Sequence, residues 1–184
     1  MEYKNRLKGA RSKATGEHFE IGLDNIFRIV RELNIAHIQK TPEPMRVVSR
    51  TNRPGVFAAT FTKAAQPDYQ GTLYGGRSVV LEAKFTDSDR ITADRISDMQ
   101  EAELNRHESM GAIAAVLVCF SYDTYGLIPW ADWKNLKALL RRKYVKADDL
   151  ELHGWKLNYQ AGNARTLAKN LCDALTRLNT ERGL

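Results

Sequence analysis

Glu82 and Lys84 stand two residues apart in the run Arg77-Ser78-Val79-Val80-Leu81-Glu82-Ala83-Lys84-Phe85, which reads as a strand. Side chains alternate in direction along a strand. Val79, Leu81, Ala83 and Phe85 then form one continuously apolar face, while Val80, Glu82 and Lys84 share the other. Such a strand belongs at the centre of a sheet, where burying a charge costs on the order of several kcal/mol unless it is paired or binds a metal ion. Asp68, in Pro67-Asp68-Tyr69, lies upstream across a glycine-rich turn containing Gly75-Gly76 and can return to the same edge. Two carboxylates and a lysine meeting at a strand end suit metal-assisted phosphodiester hydrolysis. Carboxylate oxygens hold a hard divalent cation, which favours Mg²⁺. The cation polarises a phosphoryl oxygen and makes a bound water nucleophilic near neutral pH. The lysine orients that water or offsets charge developing on the phosphate. A plainer reading also fits: a Glu–Lys pair at the sheet edge with Asp68 as a turn residue. Residue types and spacing alone leave both open.

The surrounding elements have to carry these groups. Phe19, Leu23, Ile26, Phe27, Val30 and Leu33 recur at helical spacing and predict a first helix over about Gly16–Leu33. A strand over Ile35–Lys40 and a second over Met45–Ser49 flank a Thr41–Pro44 break, where proline disfavours helix. Residues 50–66 have weak periodicity around the turn signal Asn52-Arg53-Pro54-Gly55 and read as a projecting loop or arm. Thr92 is placed to cap a helix running to Met110 and ending at Gly111. Ala112–Phe120 reads as a fully buried strand and Thr124–Ile128 as its successor, after which Pro129 opens a helix to about Tyr144. A last helix, over 164–180, sets Leu167, Leu171, Leu175 and Leu178 on one side. The order predicts one α/β domain over 1–184, a mixed central sheet flanked by helices, with a basic tail at 1–15.

The chain has 184 residues, 43% hydrophobic and 27% charged, and a formal net charge of +6. Charge of that sign bears on partners and says nothing of fold. It falls in three clusters: Lys4, Arg6, Lys8, Arg11 and Lys13 in the tail; Arg46, Arg50, Arg53 and Lys63 in a stretch without acids; and Lys137, Arg141, Arg142 and Lys143 within 134–146. Three separated basic surfaces suit a long polyanion, although each also fits plain solvation. No apolar run approaches the length of a membrane helix, and no secretory signal is recognisable, so a cytoplasmic protein without membrane partners is expected. Cys119 and Cys172 form no CxxC pair and read as buried free thiols, in keeping with a reducing compartment. His18, His37, His107 and His153 share no metal-ligand spacing, and no Ser-His-Asp or Cys-His hydrolase pattern is present.

With these residues in place, Pro67-Asp68…Glu82-Ala83-Lys84 resembles the PD-(D/E)xK nuclease motif. The order of the surrounding segments is similar to that of the RecU-type Holliday junction resolvases. The resemblance takes in Ile35–Pro44, Asp68-Tyr69-Gln70-Gly71, Leu81–Lys84, the helix carrying Gln100 and the strand Ala112–Phe120, and it spans about Gly16–Trp133. It implies a restriction-endonuclease-like core with a protruding stalk. It also implies that Asp68 and Glu82 are metal ligands, Lys84 the catalytic lysine, and Glu20 and Gln100 further catalytic residues. The stalk would enter the junction centre, with Arg46, Arg50, Arg53 and Lys63 on phosphates and Phe57 and Phe61 stacking on bases. The sequence departs from the family at Ala64-Ala65-Gln66-Pro67, where small hydroxyl residues are expected, and after Trp133; the helix over 164–180 reads as an addition.

The expectation is a Mg²⁺-dependent endonuclease, with Mn²⁺ as a substitute, that cuts branched DNA as a homodimer during recombination or repair. Two alternatives stand beside it: another PD-(D/E)xK DNA nuclease, of the restriction or repair kind, and a non-catalytic junction-binding module.

Overall fold

The computed structural model describes residues 2–62 and 66–181, with the backbone alone for 2–15 and 17. Lys63, the side chains of the basic tail and the departure at Ala64-Ala65 therefore lie outside the described residues. Helix α1 (Glu2–Glu32) continues back through the segment expected as a tail, whose Lys, Arg, Leu and Ala residues are good helix formers. Its stripe Phe19, Leu23, Ile26, Phe27 and Val30 is buried, and the helix ends where Asn34 turns to a φ of 55°.

Strands β1 (Ala36–Lys40), β2 (Met45–Arg50), β3 (Phe57–Phe61), β4 (Tyr69–Leu73) and β5 (Ser78–Thr86) follow. Next come β6 (Arg90–Thr92), α2 (Asp98–Ser109), β7 (Ile113–Phe120) and β8 (Thr124–Pro129). The chain closes with α3 (Trp130–Lys134), α4 (Leu136–Leu140), β9 (Tyr144–Lys146), α5 (Ala147–Leu152), β10 (Lys156–Leu157) and α6 (Ala164–Glu181). The central six-stranded sheet has the order β1-β4-β5-β7-β8-β10. Its β5–β7 pair is parallel and its other pairs are antiparallel, so the sheet is mixed, as expected. Helix α2 makes the crossover that a parallel pair needs.

The alternation along β5 divides two cores. Val79 and Leu81 join α1 and α6 residues on one face, together with Ile113, Ala115, Leu117 and Cys119 of β7. Val80 joins the other, with Ala114, Val116, Val118, Ile91, Leu104, Trp130, Trp133 and Val145. Glu82 and Lys84 project on this second face. Cys119 and Cys172 are both free and buried. No described helix is long and apolar enough to cross a membrane.

Three local expectations are corrected. The arm expected at 50–66 begins earlier, and where it is described it is more regular than a loop. A two-stranded ribbon, β2–β3, starts at Met45, because Val47, Val48, Phe57, Thr60 and Phe61 favour strand and Gly55, at a φ of 75°, closes the turn. Helix α2 is capped by Ser97 and not by Thr92, since 90–92 pair with β9 as a short strand. The helix expected from Pro129 to Tyr144 is broken at Asn135 and again at Arg141, which takes a left-handed φ of 57° before β9.

Candidate active site

The β4–β5 ladder ends at the pair Tyr69↔Leu81. Beyond it no β4 residue stands opposite Ala83, and the Asp68 carboxylate accepts the Ala83 N–H at 2.9 Å. The Asp68 carbonyl in turn accepts the N–H of Thr41 at 2.9 Å, fastening the turn to the end of β1. Asp68 is thus held through both its side chain and its carbonyl at the margin of the sheet.

Glu82 is 0% exposed. Its Oε1 accepts Lys84 Nζ at 2.7 Å and also accepts Gln100 Nε2. Its Oε2 is buried and has no hydrogen-bond partner. Lys84 is itself only 12% exposed at the side chain, so the pair sits where water screens little. Burial, reinforced by the nearby charge of Asp68, pushes the Glu82 carboxyl up to about 7, against the opposing pull of Lys84.

Gln100 serves two purposes. Ser97 Oγ accepts the Gln100 backbone N–H at 3.3 Å, and Gln100 Oε1 accepts the Ser97 N–H at 3.1 Å, closing a capping box at the start of α2. With its oxygen committed to the cap, the amide nitrogen is aimed at Glu82. Ser97 was missed by sequence reasoning, although the Ser-x-x-Gln spacing signals a capping box.

Glu20 is not in this cluster. It projects from α1 onto Lys40 at 2.6 Å, and both side chains are nearly half exposed. Tyr69, opposite Lys40 in the β1–β4 register and next to Asp68 in the chain, is fully buried, with its ring against Phe27 at a centroid distance of 4.6 Å. The Tyr69 hydroxyl is buried, and its ionisation is pushed up by burial and then by Asp24, Glu20 and Asp68. Tyr69 and Lys40 therefore join the neighbourhood of Asp68, and no pattern in the sequence singled them out.

A divalent cation fits here. A fully buried carboxylate with one oxygen bonded twice and the other bare is costly unless a positive charge meets the bare oxygen. Asp68 supplies a second carboxylate close enough to raise Glu82. Among the described residues no group of three or more His, Cys, Asp or Glu converges on one point. Mg²⁺ is commonly held through one or two carboxylates, with waters and substrate phosphate completing its shell. Two ligands are then enough.

The ribbon β2–β3 leaves the body beside this site, its base closed where Thr62 N–H meets the Pro44 carbonyl at 2.9 Å. Met45, Val47, Phe57 and Phe61 are each more than half exposed. The register opposes Met45 to Phe61, Val47 to Ala59 and Arg50 to Phe57, so these residues share one face, and Arg46, opposite Thr60, lies on the other. Arg53 stands in the exposed turn. Phe57 and Phe61 are not packed into the body.

A family model for recombination protein U matches residues 14–168. The chain belongs to the RecU family. The match extends well past Trp133, where the resemblance read from the sequence stopped, and it ends just inside α6. The Archaeoglobus fulgidus Holliday junction resolvase Hjc is similar in structure, with 13% identity over 68% of this chain and 91% of that one at a TM-score of 0.42. None of the curated proteins matches significantly. As a member of the RecU family, the chain is a Holliday junction resolvase and so a nuclease that acts on branched DNA.

Proposed function

We propose that this RecU-family chain cuts four-way DNA junctions with the help of a divalent cation, preferably Mg²⁺, through Asp68, Glu82, Lys84 and Gln100. The bare, buried Oε2 of Glu82 beside Asp68 carries this reading. When bound, the cation supplies Lewis acidity toward the scissile phosphate and lowers the pKa of a bound water. Asp68 and Glu82 would hold it. Gln100 fixes the Glu82 rotamer, leaving Oε2 as the free ligand. Lys84, 2.7 Å from Oε1, keeps a positive charge at the strand end, where it orients the attacking water and offsets charge developing on the phosphate. Glu20, tied to Lys40, borders this centre and enters its chemistry only by leaving that ion pair.

Resolution needs two symmetric nicks, and a twofold homodimer places two sites in that relation. The ribbon, with Arg46, Arg50, Arg53, Phe57 and Phe61 outside the body, is suited to the open branch point. Basic side chains would grip phosphates there and the rings would stack on unpaired bases. The buried free thiols fit action in a reducing cytoplasm.

The test is cleavage of a synthetic four-way junction, a flap and a linear duplex, with Mg²⁺, with Mn²⁺ and with chelator. Paired nicks in the junction are expected with either ion, and no product with chelator. Asp68→Ala and Lys84→Ala are expected to lower kcat by about 100-fold or more while binding persists. An active Asp68→Ala protein defeats the site assignment. Equal rates on junction and linear duplex would point to a nuclease of another specificity.

A further inference from the structure

The basic cluster at 134–146 has no part in the site described so far. The structure turns its end into β9, which pairs with β6 in the register Arg90↔Lys146, Ile91↔Val145 and Thr92↔Tyr144. Ile91 and Val145 are buried in the core on the second face of the sheet, the face from which Glu82 and Lys84 project. The opposite side of this small ribbon therefore carries Arg90, Thr92, Tyr144 and Lys146 outward, a few residues beyond the end of β5.

Its electrostatics are unbalanced. Arg90 and Lys146 stand directly opposite each other, and like charges so placed across two strands repel. One exposed carboxylate lies between them, Asp89, at 3.8 Å from Arg90 and 3.6 Å from Lys146, both long contacts. The guanidinium groups of Arg90 and Arg142 stack over the Tyr144 ring at 5.4 and 4.8 Å, which holds them in place. Asp149 is buried and already engaged by Arg142 at 2.5 Å, so it gives the surface no further neutralisation. Lys143 and Arg141 are exposed alongside, and the sequence has no acid from Lys134 to Lys146.

We propose that the outer face of the β6–β9 ribbon, through Arg90 and Lys146 with the exposed Lys143 at its edge, grips the sugar–phosphate backbone of a duplex DNA arm as it leaves the active site. This rests on the nuclease reading above and adds a surface to it. Ordered cations facing out next to the catalytic strand, met by Asp89 only at long contacts, suit a regularly charged rod. Contacts to phosphate set position and carry no sequence information. The face thus serves every arm alike, and preference for the junction rests elsewhere.

The experiment compares wild type, an Arg90→Gln/Lys143→Gln/Lys146→Gln triple variant and an Arg165→Gln/Lys169→Gln control on α6. Binding to linear duplex and to a four-way junction is measured across a salt series without divalent ions, and junction cleavage is measured with Mg²⁺. The triple variant is expected to lower the slope of log affinity against log salt by about 2 to 3 on both DNAs. Its KM is expected to rise about tenfold or more with kcat held, and its melting temperature should not fall, since an opposed pair of cations has gone. The control should match wild type. An unchanged salt slope, or an equal change in the control, overturns the proposal. So does a triple variant that melts several degrees lower, because the cations are then structural. A wild type that binds duplex through this face yet cleaves no junction defeats the proposed function and leaves this inference standing.

Discussion

At the scale of single residues, the decisive atom is Glu82 Oε2. Lys84 and Gln100 both take Oε1, so the two oxygens of one buried carboxylate are chemically distinct. An ion that binds the folded chain alone stabilises it by about 2.7 kcal/mol at a hundred times its dissociation constant. For a domain of this size, that corresponds to a rise in Tm of about 2–4 °C per kcal/mol. Mg²⁺ is therefore expected to raise the Tm of wild type in thermal denaturation, and Glu82→Gln is expected to abolish both that rise and cleavage while keeping the far-UV circular dichroism. The sign of the pH effect follows from a carboxyl pushed up to about 7. The ion has to displace a proton below that pH and does not above it, so the Mg²⁺-induced rise should be smaller at pH 6 than at pH 8. A rise of equal size in Glu82→Gln would place the ion elsewhere.

At the scale of elements, the site depends on how closely β1 and β4 approach. Gly71 pairs with Ile38, and a Cβ built on Gly71 falls onto the His37 carbonyl oxygen. That atom is backbone in a strand and cannot swing aside. Gly71→Ala is expected to destabilise the chain by about 1–3 kcal/mol through overpacking, with a matching fall in the urea midpoint. Because β4 begins at Tyr69, next to Asp68, the same change should also reduce cleavage by more than the loss of folded protein explains. A Gly71→Ala chain with wild-type stability would show that β1 can move away from β4. In the sequence Gly71 stands out only as part of a family-like string. The reason for it is contact between strands more than thirty residues apart, which no local pattern reports. Ser97-x-x-Gln100, by contrast, is open to reading because a capping box is a local device. Thr92 competes with it as an apparent cap, and only the pairing of 90–92 with β9 removes that alternative.

At the scale of the molecule, a two-stranded ribbon stands apart from the six-stranded body, and the proposed function gives the two separate tasks. The side chains of β2 and β3 are exposed along their whole length, so the ribbon adds little to either core. Replacing residues 46–60 by a short Gly-Ser turn is expected to leave the melting temperature of the body within a few degrees of wild type. Junction cleavage should fall at least tenfold, with any cleavage of linear duplex unchanged. Loss of both activities together would show that the ribbon also orders Asp68, whose turn adjoins its base. A two-stranded ribbon is marginal by itself in water. The face that carries Met45, Val47, Phe57 and Phe61 is exposed, and under the proposed function an open junction would cover it.

The sequence alone determined what depends on neighbours along the chain. Alternation with period two placed Glu82 and Lys84 on one face of β5, and helical spacing located α1 and α6. Uninterrupted apolar residues marked β7 as buried. Tertiary structure decided whatever depends on distant segments meeting. The crossover through α2 brings Gln100 to Glu82, and the end of the β4 ladder hands the Ala83 N–H to Asp68. The packing of α1 pairs Glu20 with Lys40 and not with Asp68 or Glu82. Charge and hydrogen-bond partners are set by positions in space, and residue type and spacing constrain those positions only within a single helix or strand.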